Sequence, residues 1–531
     1  MGDLERLIHF QIRQAGKVMR IAWRYKQQIL TWAPLYFVYE TFKAPGLSPG
    51  SKIVTGLFFF LLFAFFFLLW HKGVRSQLFG RIAVDWKHIA SLKRVRRVRG
   101  RVVAALPLLA RSGAKPPKRA GIVIGTPVAV GALPAEIRPT DNLYVVGPPR
   151  SGKTSQVILP VVRQWAGPVV ATSTRRDVTR SLISEGRDVK LIYVGLGNID
   201  SSLADKLVTW DVLAGCGDPS VAVRRAKTLV EATASGESTG SSYWNTSATA
   251  LLANLFIVAA LLQLDIKSVQ RWLQTGMPNV SGYVDAFPEL SKVDAFLASY
   301  NQQSATAAAA AASTKSVAEN ALSWVNVMPN QPASVLDISE FVRSRAVLSL
   351  VYESGDAALA PYFSCLIAEI YLSAIAHAGQ IGDKLQNHLL LALDELANLA
   401  PIADLPSWLS QSAGWGIQIM SIFQSTAQAE GRFGQAGAAA LRDSSTLMLF
   451  LRGVNDLPTL QYLSQLAGNK NTYVTQTAYA SYRRQSQTQK TQVAALSLDD
   501  LVALPAGRAI WVEGGRKVEL IKLKYFKRGF G

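Results

Sequence analysis

The sequence predicts an α/β protein: a parallel sheet around a nucleotide-binding loop, interrupted by an all-α domain and preceded by a transmembrane helical hairpin. Three observations carry this. Residues 147–154 read GPPRSGKT, a complete match to GxxxxGK[ST], between a short β-branched run and a segment of helical apolar spacing. Residues 388–395 read HLLLALDE, an aliphatic strand that ends in two carboxylates. Residues 53–70 hold eighteen consecutive residues without a charge.

The loop comes first because strand, glycine turn and helix is the arrangement that phosphate binding needs. Gly147 and Gly152 allow the backbone through Pro148, Pro149, Arg150 and Ser151 to Ser155 to curl around an anionic group, with the N–H groups of the non-proline residues pointing inward. Lys153 is then placed for the β- and γ-phosphates and the Thr154 hydroxyl for Mg2+. The expected ligand is ATP with Mg2+. The strand at 389–394 suits the middle of a parallel sheet, buried on both faces, with Asp394 and Glu395 at its carboxyl end, where ligands of open α/β sheets sit. Asp394 is expected to hold the metal through water, and Glu395 to polarise the attacking water.

In chain order, residues 4–28 are expected to form a basic amphipathic helix, with Arg6, Arg13, Lys17, Arg20 and Arg24 on one side and Leu4, Leu7, Ile8 and Ile12 on the other. It fits an anionic bilayer surface or packing on its own domain. Residues 53–70 reach about 27 Å as a helix, enough to cross a hydrocarbon core. Residues 29–39 are apolar but short and carry Pro34. The net charge of +20 decides between one span and two: about +4 lies in residues 1–28 and about +13 in 71–120. Two spans place both basic flanks in the cytoplasm, as the positive-inside rule prefers, so residues 1–70 are expected to be a multi-pass anchor in the cytoplasmic membrane. The basic run at residues 93–101 suits anionic lipid headgroups or nucleic acid.

A boundary follows near residues 106–117, and short strands at 121–140 lead into the loop strand. Residues 169–173 and 190–194 add two strands, and the alternation with helices argues a RecA-like parallel sheet spanning residues 121–210 and 337–531. Between them, residues 211–336 turn helical, with helices expected at 221–234, 243–264 and 266–275 and through the alanine run 305–312. Strands resume at 346–351. Residues 468–491, rich in Asn, Thr, Gln and Ser, read as a mobile polar loop, and 505–524 as final strands. The chain has 531 residues, 49% of them apolar, ample for two or three cores. Its two cysteines exclude a disulfide framework and fit a reducing compartment, and no HExxH or CxxC suggests zinc.

With GPPRSGKT, the membrane hairpin, SSYWNTSATALLANLF at residues 241–256, LLLALDELANL at 389–399 and SIFQSTAQAEGRFG at 421–434, the chain resembles type IV secretion coupling proteins of the TraG/TraD group. The resemblance covers roughly residues 121–531. It implies a membrane-anchored ATPase that assembles as a homo-hexamer and receives relaxase-bound single-stranded DNA or a secreted protein substrate. The cargo then passes to the proteins of the secretion channel. Gln424, at the end of a strand 417–423 expected beside the Asp394 strand, fits a sensor of the γ-phosphate. A double-stranded DNA translocase of the segregation type is the third reading; the helical insert and the lack of a C-terminal winged-helix segment count against it. One departure stands out. Related proteins often carry a basic residue just before the sensor strand, whereas residues 410–416 hold no charge, which leaves Arg432, Arg442 and Arg452 as candidates for an arginine reaching a neighbouring subunit's nucleotide.

Overall fold

The computed structural model describes residues 121–524 apart from 129–133, 196–198, 234–240, 302–304, 330–332, 354–356, 481–482 and 515–517. The expected surface helix, membrane hairpin and basic juxtamembrane run, all within residues 1–120, lie outside the described residues.

The described strands are β1 (Ile122–Pro127), β2 (Ala135–Ile137), β3 (Leu143–Val146), β4 (Val169–Ser173), β5 (Val189–Val194), β6 (Val208–Thr209), β7 (Ser334–Val335) and β8 (Val347–Tyr352), followed by β9 (Leu389–Leu393), β10 (Ile417–Phe423), β11 (Leu447–Leu451), β12 (Asn469–Ala480), β13 (Arg483–Ala494), β14 (Arg508–Glu513) and β15 (Glu519–Leu523). Eleven of them form one sheet in the order β2-β1-β15-β14-β11-β3-β10-β9-β4-β8-β5. From β11 to β5 every neighbour pair is parallel. From β11 outward through β14, β15, β1 and β2 the pairing is antiparallel.

The central strands are buried at every position, β9 and β10 among them, as a parallel sheet covered on both faces requires. The pleat divides their side chains between two cores. Leu390 and Ala392 join Val157, Ile158, Val161 and Val162 of the helix after the phosphate loop. Leu389, Leu391 and Leu393 pack on the other side, in a core that continues into the helices between β6 and β7.

Those helices are Pro219–Glu231, Ser241–Leu261, Ile266–Thr275, Leu290–Asn301 and Ala305–Ala321. Asp218 opens the first by accepting the Ser220 N–H at 2.7 Å, with Pro219 at the first helical position where no donor is needed. The alanine run is helical and continues to Ala321, while the helix at Leu290–Asn301 was not anticipated. β6 and β7 pair in parallel, Val208 with Ser334 and Thr209 with Val335, so the chain leaves for the helices and returns from them at one clamp. Among the described residues two helices, Ser242–Leu261 and Ala360–Ile381, are long and apolar enough to cross a membrane. Leu251, Leu255 and Phe256 of the first and Phe363, Leu366 and Ile370 of the second are buried in the core.

One expectation is corrected. Residues 469–480 and 483–494 are not a loop but a β-ribbon, β12 against β13 in antiparallel register from Asn469 opposite Ala494 to Ala480 opposite Arg483. Thr, Val and Tyr favour extended backbone whatever their polarity, and a ribbon lacking an apolar face carries no alternation to betray it.

Candidate active site

The site is built at the carboxyl ends of three adjacent parallel strands, β3, β10 and β9. β3 ends at Val146, and the Gly147 N–H donates to Phe423 O at 3.0 Å, hooking the start of the loop onto the end of β10. A Cβ on Gly147 would lie 2.6 Å from Ser151 Oγ and 2.8 Å from Leu451 Cδ1, so only glycine fits. The loop closes with Ser151 N–H to Pro148 O at 3.2 Å. Gly152 stands at φ 100° and Arg150 at φ 63°, left-handed positions that fold the loop back on itself. Pro149 and Arg150 are exposed, Pro148, Thr154 and Ser155 half-buried.

The helix after the loop starts with a widened turn, Lys153–Ile158, before regular helix at Leu159–Gln164. Pro160 explains the widening: it has no N–H to close a turn onto Gln156, and its ring clashes with that carbonyl. Lys153 is buried, and its Nζ donates to Gly147 O at 2.6 Å, which places the ammonium across the mouth of the loop. Burial holds its pKa below the ordinary lysine value, against the opposing pull of Asp394 and Glu395.

Asp394 follows β9 and is buried. Its main-chain oxygen accepts Thr172 Oγ1–H from the end of β4 at 2.7 Å, and its Oδ1 accepts the Glu395 N–H at 3.1 Å. Burial pushes the carboxyl up to about 6; Lys153 opposes the rise and Glu395 adds to it. Glu395 takes φ 50°, a left-handed conformation that a β-carbon residue adopts at a cost of about 1–3 kcal/mol, as residues at functional sites do. It also opens the short helix Leu396–Leu399, its carbonyl accepting the Asn398 and Leu399 N–H groups at 2.9 Å.

Gln424 ends β10, which lies beside the Asp394 strand as expected, and on its other side pairs with β3. The amide Nε2–H donates to Glu395 Oε1 at 3.2 Å, and the Gln424 N–H donates to Gln428 Oε1 at 2.9 Å. Ser425 caps the helix Thr426–Asp443 by accepting the Gln428 N–H at 3.2 Å. Sequence reasoning missed Gln428 and Thr172. Gln428 could have been found from its four-residue spacing to Gln424; Thr172 sits in an ordinary apolar strand and gave no signal.

The residues present fit ATP and Mg2+. The Ser151 hydroxyl is buried in the loop with no hydrogen-bond partner among the described residues, a glycine stands where a Cβ would close the cradle, and a buried lysine faces two carboxylates. Lys153 and the loop N–H groups would hold phosphate oxygens, and Thr154 with Asp394 would hold the metal.

The three candidate arginines separate. Arg432 Nη2 donates to Ala232 O, at the end of the helix Pro219–Glu231 of the same chain. Arg442 lies 4.6 Å from the Tyr462 ring centroid and pairs with Asp443 at 3.0 Å. Arg452, just past β11, is exposed, and its side chain has no ion pair or hydrogen bond to the described residues. The next residue, Gly453, lies against the phosphate loop, where a Cβ would approach Pro148 Cγ to 3.1 Å.

The profile of the family described as Type IV secretory system Conjugative DNA transfer matches residues 117–531. Among solved structures, the bacterial conjugative coupling protein TrwBdeltaN70 in an unbound form is similar at a TM-score of 0.59 and 19% identity, over 77% of this chain and 90% of that one. The coupling protein TrwB with a non-hydrolysable ATP analogue gives 0.56 at 18% identity, over 78% and 92%. TrwB with ADP and Mg2+ gives 0.52 at 18% identity, over 73% and 86%. These likenesses show the fold. Among curated proteins none matches in sequence.

Proposed function

The chain belongs to the Type IV secretory system Conjugative DNA transfer family, and from that premise we propose that it is a membrane-anchored, hexameric ATPase that recruits relaxase-bound single-stranded DNA and drives it into a secretion channel. The observation that carries the ATPase is the convergence of Lys153, Asp394, Glu395 and Gln424 on the carboxyl ends of β3, β9 and β10, with Gln424 Nε2 3.2 Å from Glu395 Oε1. Bound Mg2+-ATP supplies the phosphoryl group and the metal's charge. Lys153 would donate to phosphate oxygens where negative charge grows, Thr154 and Asp394 would hold the metal, and Glu395 would take a proton from the attacking water. Gln424 joins the carboxylate to the phosphate side without bringing a charge. The basic flanks of residues 1–70 hold the anchor with both ends in the cytoplasm.

The test is ATP turnover by the full-length protein in detergent, with and without single-stranded DNA. Glu395→Gln is expected to bind Mg2+-ATP as the unaltered protein does and to turn it over about a hundred- to ten-thousandfold more slowly. Unchanged turnover in that variant overturns the assignment of the base. Stimulation by a DNA single strand is expected in the unaltered protein, and its absence overturns DNA as the cargo.

A further inference from the structure

The strand that carries the phosphate loop is flanked on both sides by parallel neighbours, β10 and β11. Gln424 follows the first and Arg452 the second, so the loop leaves β3 between them. The helix after the loop packs on one face of the sheet, through Val157, Ile158, Val161 and Val162. The helices after the two flanking strands, Thr426–Asp443 and Leu457–Ala467, pack on the other, where Ala429, Leu441, Leu460 and Leu463 share a core with Tyr144 of β3. Their first turns meet there, behind the end of β3.

A ring of hydrogen bonds joins the two turns. Thr426 Oγ1–H donates to Asp456 Oδ2 at 2.8 Å, and the Thr459 N–H donates to the same oxygen at 3.2 Å. The two threonine hydroxyl oxygens stand 2.6 Å apart. A hydroxyl has one proton to give, and that of Thr426 is used on the carboxylate, so Thr459 Oγ1–H donates to Thr426 and the ring closes. Thr459 is buried, Thr426 and Asp456 half-buried. Capping of its own helix accounts for the Asp456 bond to Thr459. It does not account for Thr426, thirty residues earlier on another element, whose helix Ser425 already caps. The turn that ends at Asp456 is also seated on the phosphate loop. Gly453 takes φ 87°, where a Cβ would approach Pro148 Cγ to 3.1 Å, and Val454 is buried in the core behind it. Thr426 lies two residues past Gln424, and Asp456 four past the exposed Arg452.

We propose that Asp456 is a positioning residue for ATP turnover: through the Thr426 hydroxyl it holds the turn that carries Arg452 in register with Gln424 across the end of β3. It rests on the reading of the site as an ATPase. A cation beside the phosphate loop serves the transferred phosphoryl group only if it is held in place, and a displacement of about 1 Å costs up to about a hundredfold in rate.

Steady-state ATP turnover by the full-length protein in detergent tests it. Asp456→Ala is expected to lower kcat about ten- to a hundredfold and to leave KM for ATP within about twofold. Thr426→Val keeps the shape and removes the hydroxyl, and is expected to do the same. Thr426→Ser keeps the hydroxyl and is expected to stay within about threefold of the unaltered kcat. Asp456→Asn is expected to do likewise, because both bonds arrive on one oxygen, which an amide also presents. Asp456→Ala combined with Arg452→Ala is expected to lower kcat no further than Arg452→Ala alone, since residues that act as a unit do not add. Unchanged kcat in both Asp456→Ala and Thr426→Val, with or without a rise in KM, overturns the positioning role and leaves the motor standing. Equal loss in Thr426→Ser and Thr426→Val, or losses that multiply in the double variant, also overturns it, because damage to the helix ends then accounts for the effect. No ATP turnover by the unaltered protein overturns the ATPase reading together with the positioning role.

Discussion

Gln424 Nε2 donates to Glu395 Oε1 across 3.2 Å, joining the ends of neighbouring strands β10 and β9. The amide fixes the rotamer of a carboxylate whose backbone is itself held in a left-handed conformation. Gln424→Ala therefore loosens the base without removing it and is expected to slow ATP turnover about ten- to a hundredfold, less than loss of Glu395 itself, with nucleotide binding little changed. Gln424→Glu sets a second carboxylate beside the first. Two like charges at this spacing repel, so the contact that orients the base is lost and turnover is expected to fall at least as far as in Gln424→Ala. Turnover like that of the unaltered protein in both variants would remove the coupling.

Arg225 is buried between the helices and the sheet domain. Its Nη1 donates to Val212 O at 2.7 Å and Ala214 O at 2.6 Å, and its Nη2 to Glu369 Oε2 at 2.8 Å, while Arg224 pairs with the other carboxylate oxygen at 3.0 Å. Removing Arg225 leaves the buried Glu369 with only the half-exposed Arg224 and takes the donor from the Val212 and Ala214 carbonyls. Arg225→Ala is expected to cost about 3 kcal/mol, and Arg225→Met with Glu369→Leu to recover the part that is charge. Thermal or denaturant unfolding checks both; equal loss in the single and double variants would show that packing, not charge, is at stake.

The candidate site was legible because its motifs are local in sequence. Gly147 to Thr154 is a continuous motif, and Asp394, Glu395 and Gln424 each end a strand whose aliphatic run is unmistakable. The place of β10 beside β9 followed from roles and not from spacing, whereas its pairing with β3 on the other side did not show in the sequence. What stayed hidden depends on partners far along the chain. The clamp of Val208 with Ser334 joins two-residue strands that no periodicity marks. The ribbon at 469–494 is polar on both faces, so the alternation that reveals most strands is missing. Arg432 read as a free cation, but the carbonyl it meets, Ala232 O, belongs to a helix two hundred residues earlier.

The anchor leads to a labelling prediction. If residues 29–70 form a hairpin with both ends in the cytoplasm, a cysteine replacing Ser48 is expected to react with an impermeant thiol reagent from outside, and one replacing Ser76 is not. The native thiols do not interfere, because Cys216 and Cys365 are both buried. Labelling of a cysteine placed near the N-terminus from outside would mean a single span.

The final prediction concerns the arginine that residues 410–416 lack. Arg432 is committed to the end of a helix in its own chain, and Arg442 to the Tyr462 ring and Asp443. Arg452 is exposed beside the phosphate loop at the end of β11, the parallel neighbour of β3. An arginine that reaches the γ-phosphate in the transition state is worth on the order of three to five decades of rate. Arg452→Ala is accordingly expected to lower ATP turnover by at least about a hundredfold with nucleotide binding retained, whereas Arg442→Ala is expected to stay within about threefold. Mixing then separates the two ways it can act. If Arg452 serves the next subunit's nucleotide, Arg452→Ala subunits mixed with Lys153→Ala subunits regain activity, because an intact loop in one meets an intact arginine from the other. If it serves the loop beside it in its own chain, mixing restores nothing. Near-normal turnover in Arg452→Ala would leave the transition-state charge to Lys153 and the metal alone.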